Sequence, residues 1–277
     1  MDKLLFATAG IPERTKPRTY EKALHDLVEM KLGGMEVEFV RGVNMNPKTQ
    51  VEVAKLSKEL NLTLTAHGPY YINLNSQEED KVEASITRIL DTARVASAFG
   101  GYSITFHAAY YMKCDKQKVY DLIRERLTLI TDTLKKENIN IWVRPELTGK
   151  PVQWGDLDEL ISISKDVDMV LPCIDFSHLH ARTAGAYNTY DEFAEILDKI
   201  GNGLGDVAIN NFHAHVAGIE YSAKGEKRHL LLDESDFNYK DLMKAIKNYG
   251  VKGIVICESP NLEGDALLLQ HTYESLA

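Results

Sequence analysis

Six apolar runs in this chain stop at a side chain able to bind a metal ion: TLTAH at His67, SITFH at His107, IWVRPE at Glu146, MVLPCID at Asp175, NNFHAH at His215 and GIVICE at Glu258. His178 follows Asp175 by three residues, and His229 lies on the segment after the seventh run. Mixed imidazole and carboxylate donors suit zinc, manganese or iron, whereas carboxylates and carbonyls alone suit magnesium or calcium. A carboxylate such as Glu146 can bridge two ions roughly 3.5–4 Å apart, the geometry that clamps an in-line displacement at phosphorus. Any one of these histidines, taken alone, reads more simply as a hydrogen-bonded packing residue. The succession argues otherwise, because a buried carboxylate without a proton must find a cation.

Other titratable residues carry less. His213 has the parity of His215 and is expected to face the same interior in a supporting or packing role. His180 reads as solvated or structural, and His25 and His271 fall on predicted helices with no site around them. Cys114, Cys173 and Cys257 form no disulfide-like framework; two lie inside apolar runs and read as buried free thiols in a reducing compartment.

The elements that must position the ligands are regular. Apolar runs rich in Val, Ile, Leu and Thr alternate with longer amphipathic stretches. Strands are predicted at 4–7, 34–39, 62–66, 102–106, 139–143, 169–174, 208–215 and 253–257. Helices are predicted at 19–31, 47–60, 79–99, 116–137, 155–165, 189–200, 237–248 and 262–276. Near-continuous apolar strands point to a parallel sheet covered by helices, and eight such pairs give a single α/β domain over 1–277, a (β/α)8 TIM barrel. In that fold the active site lies at the C-terminal ends of the strands, where all six runs terminate. An open doubly wound sheet is the alternative, but it gathers its site at one switch point.

With 277 residues and 44% hydrophobic content, one core suffices. No apolar stretch approaches the roughly twenty residues of a membrane span, and the N-terminal MDKLLFATAG is too short in its apolar part for a signal peptide. A cytoplasmic protein that does not engage membranes is expected. The net charge of -9 lacks the basic excess of a general nucleic-acid coat. It does not decide the partner, because carboxylates that hold divalent ions count as negative in that sum.

The motifs themselves resemble the endonuclease IV family of zinc-dependent abasic-site (AP) endonucleases, from the third strand to the last. HGPYYINL at 67–74 carries most of the likeness, followed by Phe106–His107, the PEL turn at Glu146, IDFSH with Asp175 and His178, and ESPN at 258–261. The resemblance implies up to three Zn2+ ions, with Mn2+ or Fe2+ as substitutes. His67, His107 and Glu146 would hold the first, and Glu146, Asp175, His215 and Glu258 the second. His178 and His229 would contribute to the third. It implies hydrolysis of the phosphodiester 5′ to an abasic site in double-stranded DNA, leaving a 3′-hydroxyl and a 5′-deoxyribose phosphate, by a monomer. Glu146 would position the attacking water and accept its proton.

The chain departs from the family at the third ion. The family has Asp-x-His after the seventh strand, whereas here the segment is KGEKRH, with Lys227 where the aspartate would fall. Glu226 is the nearest replacement acid; the alternative is that Lys227 or Arg228 supplies the charge. For DNA contact, Tyr70 and Tyr71 could stack on exposed bases, Lys224, Lys227 and Arg228 could meet phosphates, and Gln153 and Trp154 could probe the helix.

Two other readings stand beside the nuclease. A mononuclear sugar isomerase or epimerase of the same barrel superfamily needs only Glu146, Asp175, His215 and Glu258; it leaves His67, His107, His178 and His229 without a purpose. A catalytically silent barrel that binds damaged DNA would be consistent with the altered third site.

Overall fold

The computed structural model describes residues 1–276. In chain order the elements are β1 (Leu4–Ala9), α1 (Tyr20–Met30), β2 (Gly34–Glu38), α2 (Pro47–Glu59), β3 (Thr63–His67), α3 (Glu79–Ala98), β4 (Ser103–Phe106), β5 (Ala109–Tyr110), α4 (Lys116–Lys136), β6 (Trp142–Pro145), β7 (Gln153–Trp154) and α5 (Leu157–Asp166). They continue with β8 (Ile174–Asp175), α6 (Phe176–Arg182), α7 (Tyr190–Leu204), α8 (Asp206–Ile209), β9 (Phe212–Val216), β10 (Gly218–Ser222), β11 (Gly225–Leu230), α9 (Tyr239–Asn248), β12 (Gly253–Cys257) and α10 (Glu263–Ser275). Among the described residues no helix is long and apolar enough to cross a membrane.

The fold is the expected α/β TIM barrel class, with eight strands in its main sheet. Contacts group the chain into two compact units. One comprises Met1–Met35, Thr148–Pro151 and everything from Cys173 on; the other comprises Glu36–Leu147 and Val152–Pro172. In the first, the strand order is β1-β12-β9-β8, all parallel, with Ile256 level with His215 and Asp175 level with His215. In the second, the order is β6-β4-β3, again parallel, followed by the outer part of β2.

The long helices bury apolar stripes. On α4 the buried positions Ile123, Leu127, Ile130 and Leu134 recur at helical spacing, and on α7 Phe193, Ile196, Leu197 and Ile200 do the same. Helix starts follow local chemistry. Asn46 accepts from the Thr49 amide ahead of Pro47, whose missing N–H costs nothing at a first turn. Asp156 and Glu159 close a reciprocal capping box on α5, at 3.0 and 3.1 Å.

All eight predicted helices are present, with ends shifted by a few residues at most. Three strands differ. The run 169–174 is broken into a bridge between Val143 and Val170 and the short β8, because Pro172 has no amide to give to the ladder. Residues Ala208 and Ile209 are helical, and the strand begins only at Phe212. The run 139–143 starts late, at Trp142, after the left-handed Asn138 ends the preceding helix. The predicted elements also lack α6 and the β10–β11 hairpin, both of which carry site residues.

Replacing Asp156 with Ala should lower stability by about 1 kcal/mol, the usual cost of a lost N-cap. An unchanged denaturation midpoint would show that the box does not hold α5.

Candidate metal centre

In the second unit, parallel register brings three strand ends together. His67 closes β3 opposite Thr105, and Phe106 at the end of β4 lies opposite Pro145. His107 and Glu146 are the next residues on their strands. Glu146 has 0% exposure. Its two carboxylate oxygens divide between the imidazoles: Oε2 lies 3.1 Å from His67 Nε2, and Oε1 lies 3.1 Å from His107 Nε2. His67 uses its other nitrogen, Nδ1, toward the Gly68 carbonyl at 2.7 Å. A backbone carbonyl on one ring nitrogen fixes the tautomer and leaves the second nitrogen for a ligand.

Burial pushes the His67 imidazolium pKa down, but the hydrogen bond to Glu146 and the charges of Glu38, Glu146 and Glu36 outweigh it and raise the pKa to about 10. Glu36 is itself buried and accepts from Thr65 Oγ1 at 2.6 Å. Sequence reasoning missed these two acids. Their signal was the alternation in MEVEF, which places charged side chains at every second position of an otherwise apolar strand.

The first unit holds the remaining ligand candidates. Asp175 is both the last residue of β8 and the N-cap of α6. Its Oδ1 accepts the His178 amide at 2.7 Å, and its Oδ2 lies 3.0 Å from His178 Nδ1. The Asp-x-x-His spacing is thus one helical turn held by its own cap. Ser177 donates to the Ala217 carbonyl and accepts from the Ala217 amide, at 2.7 and 2.8 Å, which ties α6 to the end of β9. His215 Nδ1 lies 3.4 Å from Glu258 Oε1, and His229 Nε2 lies 3.9 Å from Glu258 Oε2. One ligand atom each from Asp175, His178 and His229 falls within 4.8 Å of the others.

Residues Gly225–Leu230 of the altered segment form β11, and its register with β10 places Glu226. Ile219 faces His229 and Glu220 faces Arg228, but Tyr221 faces Glu226, so Lys227 is an extra residue in a bulge. A bulge shifts the alternation by one. Glu226 therefore returns to the His229 face, three residues away rather than two. Its Oε2 lies 3.5 Å from His178 Nε2. Gly149 makes the approach feasible: a Cβ there would stand 2.7 Å from the Glu226 Cβ and 2.9 Å from His178 Cδ2. Lys227 and Arg228 turn the other way and pair with Glu220 at 3.1 and 2.7 Å, which holds its carboxyl below the ordinary glutamate range. His178 thus has Asp175 on one ring nitrogen and Glu226 on the other, and the same Glu226 oxygen lies 3.9 Å from Lys150 Nζ.

Further expectations divide. Tyr70 and Tyr71 are 63% and 65% exposed, with the Tyr70 ring 6.1 Å from that of His67. Lys224 is exposed on the hairpin turn. Gln153 and Trp154 cannot reach a ligand: both are buried, in a two-strand ribbon that pairs Trp154 with Ala109 and Gln153 with Tyr110. His180 is buried rather than solvated. It meets the Ala186 carbonyl at 2.9 Å and Asp236 at 3.2 Å, and Tyr221 donates to the same carboxylate at 2.6 Å. That network clasps the hairpin to α6.

The donor sets fit divalent transition ions. Ligand atoms about 2.1 Å from a tetrahedral ion stand ~3.4 Å apart. The imidazole–carboxylate separations of 3.0 to 3.9 Å among these donors bracket that figure.

The family model for the xylose isomerase-like TIM barrel matches residues 24–276. An uncharacterized protein of Methanocaldococcus jannaschii is 46% identical over 275 residues, 99% of this chain and 98% of that one. Among solved structures, endonuclease IV from Thermus thermophilus superposes with a TM-score of 0.74 at 15% identity, covering 99% of this chain and 100% of its own. A D-tagatose 3-epimerase-like protein gives 0.72 at 19% identity, covering 98% and 96%. Nuclease and epimerase scaffolds alike share the fold, and with the family model spanning nearly the whole length, this chain belongs to the xylose isomerase-like TIM barrel family.

Proposed function

We propose that this protein is a metal-dependent DNA-repair endonuclease that hydrolyses the phosphodiester 5′ to an abasic site. The observation that carries the reading is the acid and histidine set around α6 and the hairpin: Asp175, His178, His229 and, through the bulge, Glu226. A mononuclear sugar epimerase has no use for it, nor for His67 and His107 beside Glu146. Thermus endonuclease IV shares the fold, as does the epimerase-like protein, so the choice between them rests on the donor set.

In this reading His67, His107 and Glu146 hold one zinc-type ion, Asp175, His215 and Glu258 serve another, and His178, His229 and Glu226 a third. When bound, the ions supply Lewis-acid activation and charge neutralisation at phosphorus. Glu146 orients the attacking water and accepts its proton. The bond from phosphorus to the 3′ oxygen breaks, and that oxygen leaves as the 3′-hydroxyl while the phosphate stays on the 5′ side of the deoxyribose. Exposed Tyr70 and Tyr71, next to His67, provide stacking surfaces worth about 1–3 kcal/mol per base. Lys224 offers a phosphate contact at the hairpin turn.

Incubation with duplex DNA bearing one abasic analogue should give chelator-sensitive incision on the 5′ side, with about three ions per chain, one for each donor set. Intact DNA, one ion and ketose epimerisation would establish the epimerase instead; tight binding without incision would establish a silent barrel.

The bulge makes a separate prediction. Glu226→Gln should lose about one ion and reduce incision by ~10²–10³-fold, the cost of removing one preorganised charge. Deleting Lys227 leaves Glu226 two residues from His229, on the same face by strand alternation, and should preserve the ion count. Equal ion content in wild type and Glu226→Gln would remove Glu226 from the site.

Protonation gives a third test. With the His67 pKa raised to about 10, the metal-free protein holds that proton at neutral pH, and an ion must displace it. Apparent zinc affinity should therefore climb with pH until about pH 10. The stabilisation from the protonated contact is complete below about pH 6.5 and lost as pH rises through about 10. Calorimetry in buffers of different ionisation enthalpy at pH 8 should show about one more proton released by wild type than by His67→Asn. Identical proton counts would contradict the assignment.

A further inference from the structure

Beneath the carboxylate-bearing strand ends of the first unit lie two donors that the proposed hydrolysis does not use, Cys173 and His213, next to one that it does, His215. Strand alternation generates it. Asp175 on β8 is level with His215 on β9, and two residues earlier on each chain segment stand Cys173 and His213. Side chains two apart share a face, so Cys173 and His213 occupy the layer one step, about 6.6 Å, below the Asp175 and His215 pair. The register with β12 sets His213 level with Ile254 and His215 level with Ile256, both fully buried. Ala7 and these isoleucines form an apolar cluster, so the layer is walled by hydrocarbon.

Cys173 and His213 of that layer and His215 of the one above each present one ligand atom within 4.8 Å of the other two, and all three residues have 0% exposure. The His213 and His215 rings stand edge to face with centroids 5.3 Å apart. We infer that Cys173, His213 and His215 form an inner binding site for a thiophilic metal ion of the zinc or cuprous type. A thiolate with two imidazoles is a soft donor set, unlike the oxygen-rich sets at the strand ends, and selects Zn2+ or Cu+ over manganese or magnesium. The Cys173 thiol loses its proton to solvent as its sulfur takes the metal, because the thiolate is the ligand. Cu+ with one thiolate leaves the layer neutral. Zn2+ leaves one positive charge in the layer below Asp175.

His215 belongs to both layers. An ion held below draws the imidazole toward Cys173, away from its 3.4 Å contact with Glu258, and so competes with the ion above. Excess thiophilic metal should therefore displace a strand-end ion rather than add to the total.

Cobalt titration of the full, chelated protein tests the site without reference to catalysis. Wild type should develop thiolate-to-cobalt charge-transfer absorption in the near ultraviolet. Cys173→Ser should lose it, His213→Gln should weaken cobalt binding at that signal by about tenfold or more, and Cys257→Ser should keep it. Because a buried substitution can impair folding, cadmium NMR of unaltered protein provides a second readout, with one resonance expected in the range of sulfur-ligated cadmium. Cobalt spectra with only nitrogen and oxygen character, a cadmium resonance free of sulfur, or a charge-transfer band that survives Cys173→Ser in folded protein would each overturn the site.

Discussion

A carboxylate with no access to water sits between two imidazoles at the end of β6, and the second unit is arranged around that fact. Isolated, the Glu146 charge would be costly to bury or would be extinguished by a proton. Paired at 3.1 Å on each oxygen it is sustained, provided that three parallel strands keep their register within a fraction of an ångström. The helices matter to the site for this reason. Their buried stripes fix the strands, and the strands fix the distance between charges. Glu36 and Glu38 deepen the negative field under His67, so the pocket is electrostatically prepared for cations.

The first unit meets the same demand by a different local device. At β8 a single residue closes the strand, caps the next helix and contacts the histidine one turn later. Opposite it, the hairpin brings Glu226 and His229 to the same face although their spacing is three. One inserted residue in a strand reverses the alternation, while Lys227 and Arg228 pair with Glu220. Asp236, which meets buried His180 and accepts from Tyr221, links the hairpin to α6.

Much of this was legible in the residues. Near-continuous apolar runs ending in ligand-type side chains marked His67, His107, Glu146, Asp175, His215 and Glu258 as candidates, because strand ends in a parallel barrel are also site positions. The helices were legible for a similar reason: stripes such as Ile123, Leu127, Ile130 and Leu134 leave no other period. Glu36 and Glu38 were passed over since nothing near them in sequence is a ligand. Trp154 and Gln153 looked like loop residues available to DNA, but the two-strand ribbon that buries them pairs segments distant in sequence.

The sequence by itself determined the α/β class, the positions of the helices and the candidate donors at the strand ends, since periodicity and donor chemistry are local properties. Whether Glu226 could replace an aspartate depended on a bulge whose partner strand lies across a turn, and on Gly149 leaving room for the side chain. The layering of Cys173 and His213 beneath Asp175 and His215 depended on register between two strands that the chain reaches only after two intervening helices and a third short one. Pairing and steric room are relations between distant segments. Tertiary structure alone decided them.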